Sequence, residues 1–257
     1  MPDEQARGPR PGPPFPAGFE PVGNPLGAGS SAVVWLARRT VDGRTTALKV
    51  WRGPLADDGQ RQRFLREVRH HAELAAVSGH LVAYTWAEPD ADPPWIAVEP
   101  HGGSLVQELA EHGRPPLPTG LVWAHDLLLG LAAMHSTGTL HRDVSPANVL
   151  VDRSRAKLCD FGLTLDVAAS TRDNGAGTPR YLAPELQAGD RRPDPRSDVW
   201  SAAVTVRDLL GDDLPAGLEQ TLTAAASFRP EDRPATAASR CRRAANSAAA
   251  LGVALPP

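Results

Sequence analysis

The sequence predicts an α+β fold in two lobes, a small antiparallel β lobe carrying one helix followed by a larger, mainly helical lobe. Three observations predict it. The first part of the chain alternates apolar and polar residues between tight turns, as short paired strands do. A glycine pair in PHGG, Gly102-Gly103, then interrupts the pattern as a connector between domains does. Beyond it the apolar residues recur at helical spacing, above all in TGLVWAHDLLLGLAAMHS. With 257 residues, 41% of them hydrophobic, the chain is long enough for two modest cores.

Each element follows in order. Residues 1–17 hold six prolines and two glycines with no apolar period, and read as a disordered tail that cannot pack a core. From Phe19, PVGNPLGAGSSAVVWLARR gives a glycine-containing turn followed by an apolar run from Ala32 to Ala37. A second hairpin turn at Asp42-Gly43 precedes the strand TTALKVW. QRQRFLREVRHHAELAAV places Phe64, Val68, Ala72 and Ala75 on one helical face with charge on the others. His71 on that helix reads as core packing or as a solvent-facing tip.

Two strands, around Leu81 to Trp86 and Trp95 to Glu99, complete the small lobe, residues 18–101. The large lobe is expected over residues 102–246. Its first helix, SLVQELAEHG, starts at Ser104 with Gln107 answering three residues on, and Gly113 ends it. Thr119 to Ser136 is long and apolar enough to be a buried helix, with Leu127, Leu128, Leu131 and Met134 as its core stripe. Val149 to Val151 and Ala156 to Cys159 read as two short paired strands, and TLDVAASTRDNGAGT as a mobile loop. RSDVWSAAVTVRDLL is a helix, and an alanine-rich helix closes the lobe before a tail over residues 247–257.

Composition narrows the function classes. A formal net charge of −3 gives no reason to expect nucleic acid or an anionic membrane as a partner. The sequence has no charge-free apolar run of membrane-spanning length and no signal-peptide layout, so a soluble cytoplasmic chain is expected. Cys159 and Cys241 lie far apart without metal-ligand spacing and read as reduced thiols. Of 27 basic side chains only Lys49 and Lys157 are lysine. A chain so biased to arginine keeps lysine mainly where a compact ammonium is needed, and Lys49 is the candidate for such a position. The stem of Lys157 can simply cover apolar surface beside a strand.

The stretch HRDVSPANVLVDRSRAKLCDFG carries the chemistry. It gathers Asp143, Asn148 and Asp160 at the ends of two short strands, where a carboxylate is held in place. An amide and a carboxylate that converge are hard oxygen ligands for magnesium, and a separate carboxylate nearby can accept a hydroxyl proton. Upstream, Gly27 and Gly29 let backbone amides approach phosphate with no side chain in the way.

H-R-D-x-x-x-x-N followed by D-F-G, with G-A-G before A-L-K-V and a later G-T-P-R-Y-L-A-P-E, resembles the eukaryotic-like (Hanks-type) bacterial serine/threonine protein kinase family. The resemblance runs from about Phe19 to Ala245. It implies a two-lobed protein-kinase-like fold that binds ATP with Mg2+, or Mn2+ in its place, between the lobes. It also implies transfer of the γ-phosphoryl group to serine or threonine hydroxyls of a protein substrate, autophosphorylation included. By the same resemblance Asp143 is the catalytic base, Asn148 and Asp160 hold the metal, and Lys49 holds the α and β phosphates, positioned by Glu67. Leu26, Gly27, Gly29, Val34, Ala47, Val98, Glu99, His101 and Leu150 line the nucleotide site. Ser104 falls where such kinases contact ribose, besides its reading as a helix cap. Glu67 has the plainer reading of an exposed partner for Arg63 or His71 on its own helix.

Further positions follow from the same pattern. Arg142 could capture a phosphate placed on the loop hydroxyls Ser170, Thr171 or Thr178. Asp198 would anchor the catalytic loop, and Arg233 would pair with Glu185 of A-P-E. Three departures stand out. Ala32 replaces the third glycine of the phosphate loop. Ser145 stands where the family places a lysine that contacts the transferring phosphate, a loss worth about 10²-fold in rate by analogy with one preorganised donor. Only a short stretch joins Asp198 to Arg233, so part of the substrate-docking face is missing and a flattened lower lobe is expected. The alternative reading is a nucleotide-binding pseudokinase scaffold. A small-molecule phosphotransferase shares H-x-D, but has no use for the peptide-docking segment GTPRYLAPE. The sequence assigns no oligomeric state.

Overall fold

The computed structural model describes residues 15–29, 32–55, 57–160 and 179–238. The chain divides into two compact units, Met1–Leu65 with Tyr84–Pro100, and Arg66–Ala83 with His101–Pro257. Residues 66–83, expected in the small lobe, group with the second unit.

The first unit is built on one antiparallel sheet. Its strands are β1 (Phe19–Pro21), β2 (Gly27–Ala28), β3 (Ala32–Arg39), β4 (Thr45–Trp51), β5 (Tyr84–Glu88) and β6 (Trp95–Val98). The order is β1-β3-β4-β6-β5, with β2 pairing β3. The expected hairpin turn joins β3 to β4: Gly43 takes a φ of 70°, and Asp42 accepts from Arg39 Nε at 2.9 Å and from the Arg44 N–H at 3.1 Å. Alternation then divides the sheet's faces. Val33, Val50 and Trp95 align across three strands, as do Trp35, Leu48 and Ala97. This face is buried around Ala37, Leu48, Val50, Trp95 and Ala97, with Phe15 and Phe19 packed on it. Phe19 meets Trp95 edge-on at 5.1 Å and Phe15 meets Trp35 at 5.7 Å.

Helix α1 (Asp58–Val77) begins in the first unit, where Phe64 packs edge-on against Trp51 at 5.1 Å. Its inner stripe differs in one place from the sequence expectation. His71 and Leu74 are buried, whereas Ala72 is exposed. The reason is rotation: from Phe64, helical steps of three or four residues reach Val68, His71 and Leu74, and Ala72 lies a further 100° round. The His71 ring is therefore a core side chain.

The second unit is mainly helical, with α2 (Leu105–His112), α3 (Leu117–Ser136), α4 (Pro184–Gln187), α5 (Pro195–Leu210) and α6 (Ala216–Ala225), plus one hairpin of β7 (Val149–Val151) and β8 (Ala156–Leu158). The capping box expected at Ser104 is present: Gln107 N–H donates to its hydroxyl at 3.4 Å, and the Ser104 N–H donates to Gln107 Oε1 at 3.0 Å. α3 is long and apolar enough to span a bilayer, but here Leu127, Leu131 and Met134 are core residues packed with Val199, Val206 and Leu209 of α5. α6 follows α5 after a short connection that starts at Gly211, consistent with the shortening read from the sequence.

At Gly102 the chain passes close against the β7–β8 hairpin. A Cβ there would lie 1.9 Å from the Val151 carbonyl oxygen, a backbone atom that cannot swing aside. Gly102→Ala is expected to lower unfolding free energy by about 1–3 kcal/mol, with the urea midpoint falling and the slope unchanged. Gly217→Ala, on α6 with nothing within 4 Å of its Cβ, serves as the contrast and should leave the midpoint equal or higher.

Candidate active site

The loop between α3 and β7 is organised by a carboxylate that lies far from it in sequence. Asp198 sits in the first turn of α5, where the helix N-terminus favours negative charge, and is 1% exposed. Its Oδ2 accepts the His141 N–H at 2.9 Å, and its Oδ1 accepts the Arg142 N–H at 2.8 Å. His135 Nε2 donates to the same Oδ2 at 3.0 Å. Arg142 has a φ of 69°, a backbone conformation costly for a side chain of its size, and these bonds hold it there.

His141 carries the order onward. Its Nδ1 accepts the Asp143 N–H at 3.3 Å, so the ring proton is on Nε2, which donates to the Cys159 carbonyl at 3.0 Å. Burial pushes this ring below the ordinary imidazole range and keeps it neutral, as that wiring requires. Asn148 ends the 3-10 turn Pro146–Asn148 and donates from Nδ2 to the Asp143 carbonyl and to Asp143 Oδ2, each at 2.8 Å. The Asn148 carbonyl in turn accepts the Cys159 N–H at 2.9 Å, beyond the register pair Val149 and Leu158. Asp160 follows directly, with a φ of 56°. Asp143, Asn148 and Asp160 thus hang from one hydrogen-bonded ladder. Ser145 is buried beside them, and its carbonyl accepts the Asn148 N–H at 3.0 Å.

The other expected nucleotide residues fall into two sets. In the first unit, Gly27, Val34 and Lys49 align across β2, β3 and β4, and Ala47 pairs with Val98, so the four side-chain-bearing residues share one sheet face, opposite that of Leu48, Val50 and Trp95. Leu26 and Gly29 flank this line, with the Leu26 N–H on the Val34 carbonyl at 2.8 Å and the Gly29 N–H on the Ala32 carbonyl at 2.9 Å. Glu99 is half-buried just after β6. In the second unit, Ser104 bridges to Leu150, and His101 lies 3.8 Å from Asp152. Glu67 is half-buried on the part of α1 that belongs to this unit. Phe161 and Gly162 of D-F-G, Ser170, Thr171, Thr178 and Cys241 lie outside the described residues. Among the described residues Cys159 is in no disulfide.

The donor set fits a nucleotide with a hard cation. Asn148 spends its amide nitrogen on Asp143, so the atom it can offer is its oxygen, and Asp160 adds a carboxylate. Among the described residues no cluster of three or more His, Cys, Asp or Glu side chains could hold a metal. Two oxygen donors suit an ion that keeps its waters and takes phosphate oxygens for the rest. A Cβ on Gly27 would meet nothing within 4 Å, and one on Gly29 only the Ala32 carbonyl at 3.7 Å, so the turn leaves room for phosphate.

Residues 179–187 are tied to α5 and to the chain's later turns. The Arg233 guanidinium makes a two-pronged contact with Glu185, 2.8 Å on each side, donates to the Ser227 carbonyl at 2.7 Å and lies over the Trp200 ring at 4.9 Å. Tyr181 donates to Asp208 Oδ2 at 2.7 Å, and burial together with that carboxylate pushes its hydroxyl up to about 12. Arg180 also pairs with Asp208. Sequence reasoning missed Tyr181, Asp208 and His135, whose partners lie too far along the chain for any local pattern to link them.

Residues 21–239 match the protein kinase domain model. The chain belongs to the protein kinase family. Among curated relatives, the serine/threonine-protein kinase AfsK of Streptomyces griseus is 38% identical over 198 residues, which is 73% of this chain and 23% of AfsK. The serine/threonine-protein kinase PknL of Mycobacterium tuberculosis is 36% identical over 220 residues, covering 83% of this chain and 54% of PknL. This kinase domain therefore spans between about a quarter and about half of those relatives. Among solved structures, the PknI kinase domain of M. tuberculosis superposes with a TM-score of 0.64 at 26% identity, covering 91% of this chain and 96% of that one. Kinases of this family use ATP, a divalent metal and protein substrates.

The buried titratable groups of the kinase domain set its response to acid. Burial lowers His125 as well as His141, so both rings fold neutral. Asp126 and Glu185 also sit below the ordinary carboxylate range. Burial works to raise each, but bonds from His80, Arg155 and the Ala156 N–H to Asp126, and from Arg233 to Glu185, more than offset it. An unfolded histidine takes up a proton near about pH 6.5 that the folded ring refuses, so stability falls as pH drops below that value. The lowered carboxylates stabilise the fold above their unfolded values of about 4, and that contribution is lost as pH falls through the folded ones. Urea midpoints are expected to decline in two stages, below about pH 6.5 and again below about pH 4.5. A midpoint unchanged between about pH 7 and 5 would show that neither ring is buried neutral.

Proposed function

We propose that this chain is an ATP-dependent protein serine/threonine kinase that transfers the γ-phosphoryl group to a protein hydroxyl and also phosphorylates itself. The observation that carries this reading is the pair of 2.8 Å bonds from Asn148 Nδ2 to Asp143, in a ladder that continues through Cys159 to Asp160. Such a ladder fixes a proton acceptor relative to two metal-binding oxygens before any substrate arrives.

In this mechanism Asp143 orients the attacking hydroxyl and accepts its proton. Asn148 and Asp160 would hold Mg2+, with Mn2+ as a substitute, and the bound ion supplies charge neutralisation on the phosphates. Lys49, supported by Glu67, binds the α and β phosphates. Leu26, Gly27, Gly29, Val34, Ala47, Val98, Glu99, His101, Ser104 and Leu150 bind the rest of the nucleotide. Arg142 receives a phosphate on Ser170, Thr171 or Thr178. Ser145 brings a neutral hydroxyl where a charge would help, so turnover is slower by about 10²-fold than in a kinase carrying lysine there. The reading places the protein in the cytoplasm, as a domain of residues 18–101 and 102–246.

Incubation with γ-labelled ATP and Mg2+, followed by phosphosite mapping by mass spectrometry, tests the reading. Phosphoserine and phosphothreonine are expected, on the chain itself and on an added protein. Phosphate confined to tyrosine would refute the serine/threonine assignment, and nucleotide binding without transfer would make the chain a scaffold.

A further inference from the structure

The hairpin that carries the metal-binding oxygens is small. β7 and β8 have only the pairs Val149 with Leu158, Leu150 with Lys157 and Val151 with Ala156, and two strands of that length do not hold their own register in water. A slip by one residue would turn every side chain to the opposite face and move Asp160 relative to Asn148. Something outside the hairpin must fix it.

Asp126, in the middle of apolar α3 and 0% exposed, reaches the hairpin directly. Its Oδ2 accepts Arg155 Nε at 2.9 Å and the Ala156 N–H at 2.9 Å, and its Oδ1 accepts Arg155 Nη2 at 3.2 Å. Ala156 is the first residue of β8, so the carboxylate fixes where that strand starts. His80 Nδ1 lies 3.2 Å from Asp126 Oδ1, and the His80 carbonyl accepts the Leu158 N–H at 2.9 Å. The strand is thereby held at both ends. Gly130, one helical turn along α3, lets this in: a Cβ there would stand 2.9 Å from the His80 carbonyl oxygen.

An ion pair whose carboxylate is buried is on average no more stabilising than a well-packed apolar pair, but its directional bonds favour one arrangement. We infer that Asp126, acting through Arg155 and Ala156, is a positioning residue that sets the register of the β7–β8 hairpin and hence the placement of Asp160 against Asn148. The inference rests on the kinase reading for its effect on turnover, but its structural part stands on these contacts alone.

The double variant Asp126→Leu/Arg155→Met tests it in the full chain, since it removes the contact without leaving a buried charge unpaired. Its thermal midpoint is expected to fall, because the buried Ala156 N–H loses its acceptor, while the variant still folds. kcat for phosphoryl transfer should fall by roughly 10²-fold, the scale of a misplaced reacting group. Amide exchange at Leu158 and Cys159 should be about ten-fold faster. Wild-type exchange and wild-type kcat in the folded variant would overturn the inference. If the wild type itself transfers no phosphate, the kinase reading fails, and the exchange rates alone decide this one. If the double variant does not fold, Arg155→Gln decides by the same readouts, because the Arg155 side chain is 39% exposed and Asp126 keeps the Ala156 N–H.

Discussion

Asp143→Asn is expected to lower kcat for phosphoryl transfer by about 10²–10⁴-fold, the contribution of a positioned general base. The substitution suits the question because it changes little else. Asn148 Nδ2 donates to Asp143 Oδ2 at 2.8 Å and to the Asp143 carbonyl at 2.8 Å, and an asparagine can present its amide oxygen in place of Oδ2 and leave the carbonyl bond untouched. The loop therefore keeps its shape while the site loses the atom that takes the proton. KM for ATP should not move, since Asp143 itself is assigned no contact with the nucleotide. Initial rates with labelled ATP at saturating protein substrate give the answer. A loss of less than about ten-fold would place the proton acceptor on another group.

The second large effect falls on the fold itself. Asp198→Ala removes the acceptor of the His141 and Arg142 amides and of the His135 ring in one step. An unsatisfied buried donor costs about 1–3 kcal/mol, so losing the partner of two such amides should lower unfolding free energy by about 2–6 kcal/mol. Relaxation of Arg142 from its φ of 69° offsets part of that loss, but at the expense of the loop's shape. Asp198→Asn should do nearly as badly. An amide offers one accepting atom where three donors converge, and turns its own N–H groups toward at least one of them. Urea unfolding of both variants checks the size, and a change of under about 1 kcal/mol in Asp198→Ala would mean that the loop is held by something else.

Features of one strand or one turn were legible in the sequence. The Asp42-Gly43 hairpin, the Ser104 capping box and the Leu127, Leu131 and Met134 stripe each depend on residues within a turn or two of one another, and each is found where it was expected. Asp143, Asn148 and Asp160 were legible as a set because strands β7 and β8 bring both ends of one stretch together. Less legible was anything that joins distant stretches. His71 rather than Ala72 faces inward on α1, because the shared stripe of a helix is decided by what packs on it. Asp126 was visible only as a charge in an apolar run, and its partners His80 and Arg155 lie on separate segments. Tyr181 and Asp208 were hidden for the same reason.

The anchoring of the loop at Asp198 also bears on how the domain fails when heated. That carboxylate belongs to α5, whose Val199, Ala202, Val206 and Leu209 are central to the helical core. The loop thus borrows its rigidity from the helical core and is expected to melt with it. Inactivation and loss of helix should follow a single curve, with no folded yet silent species between them.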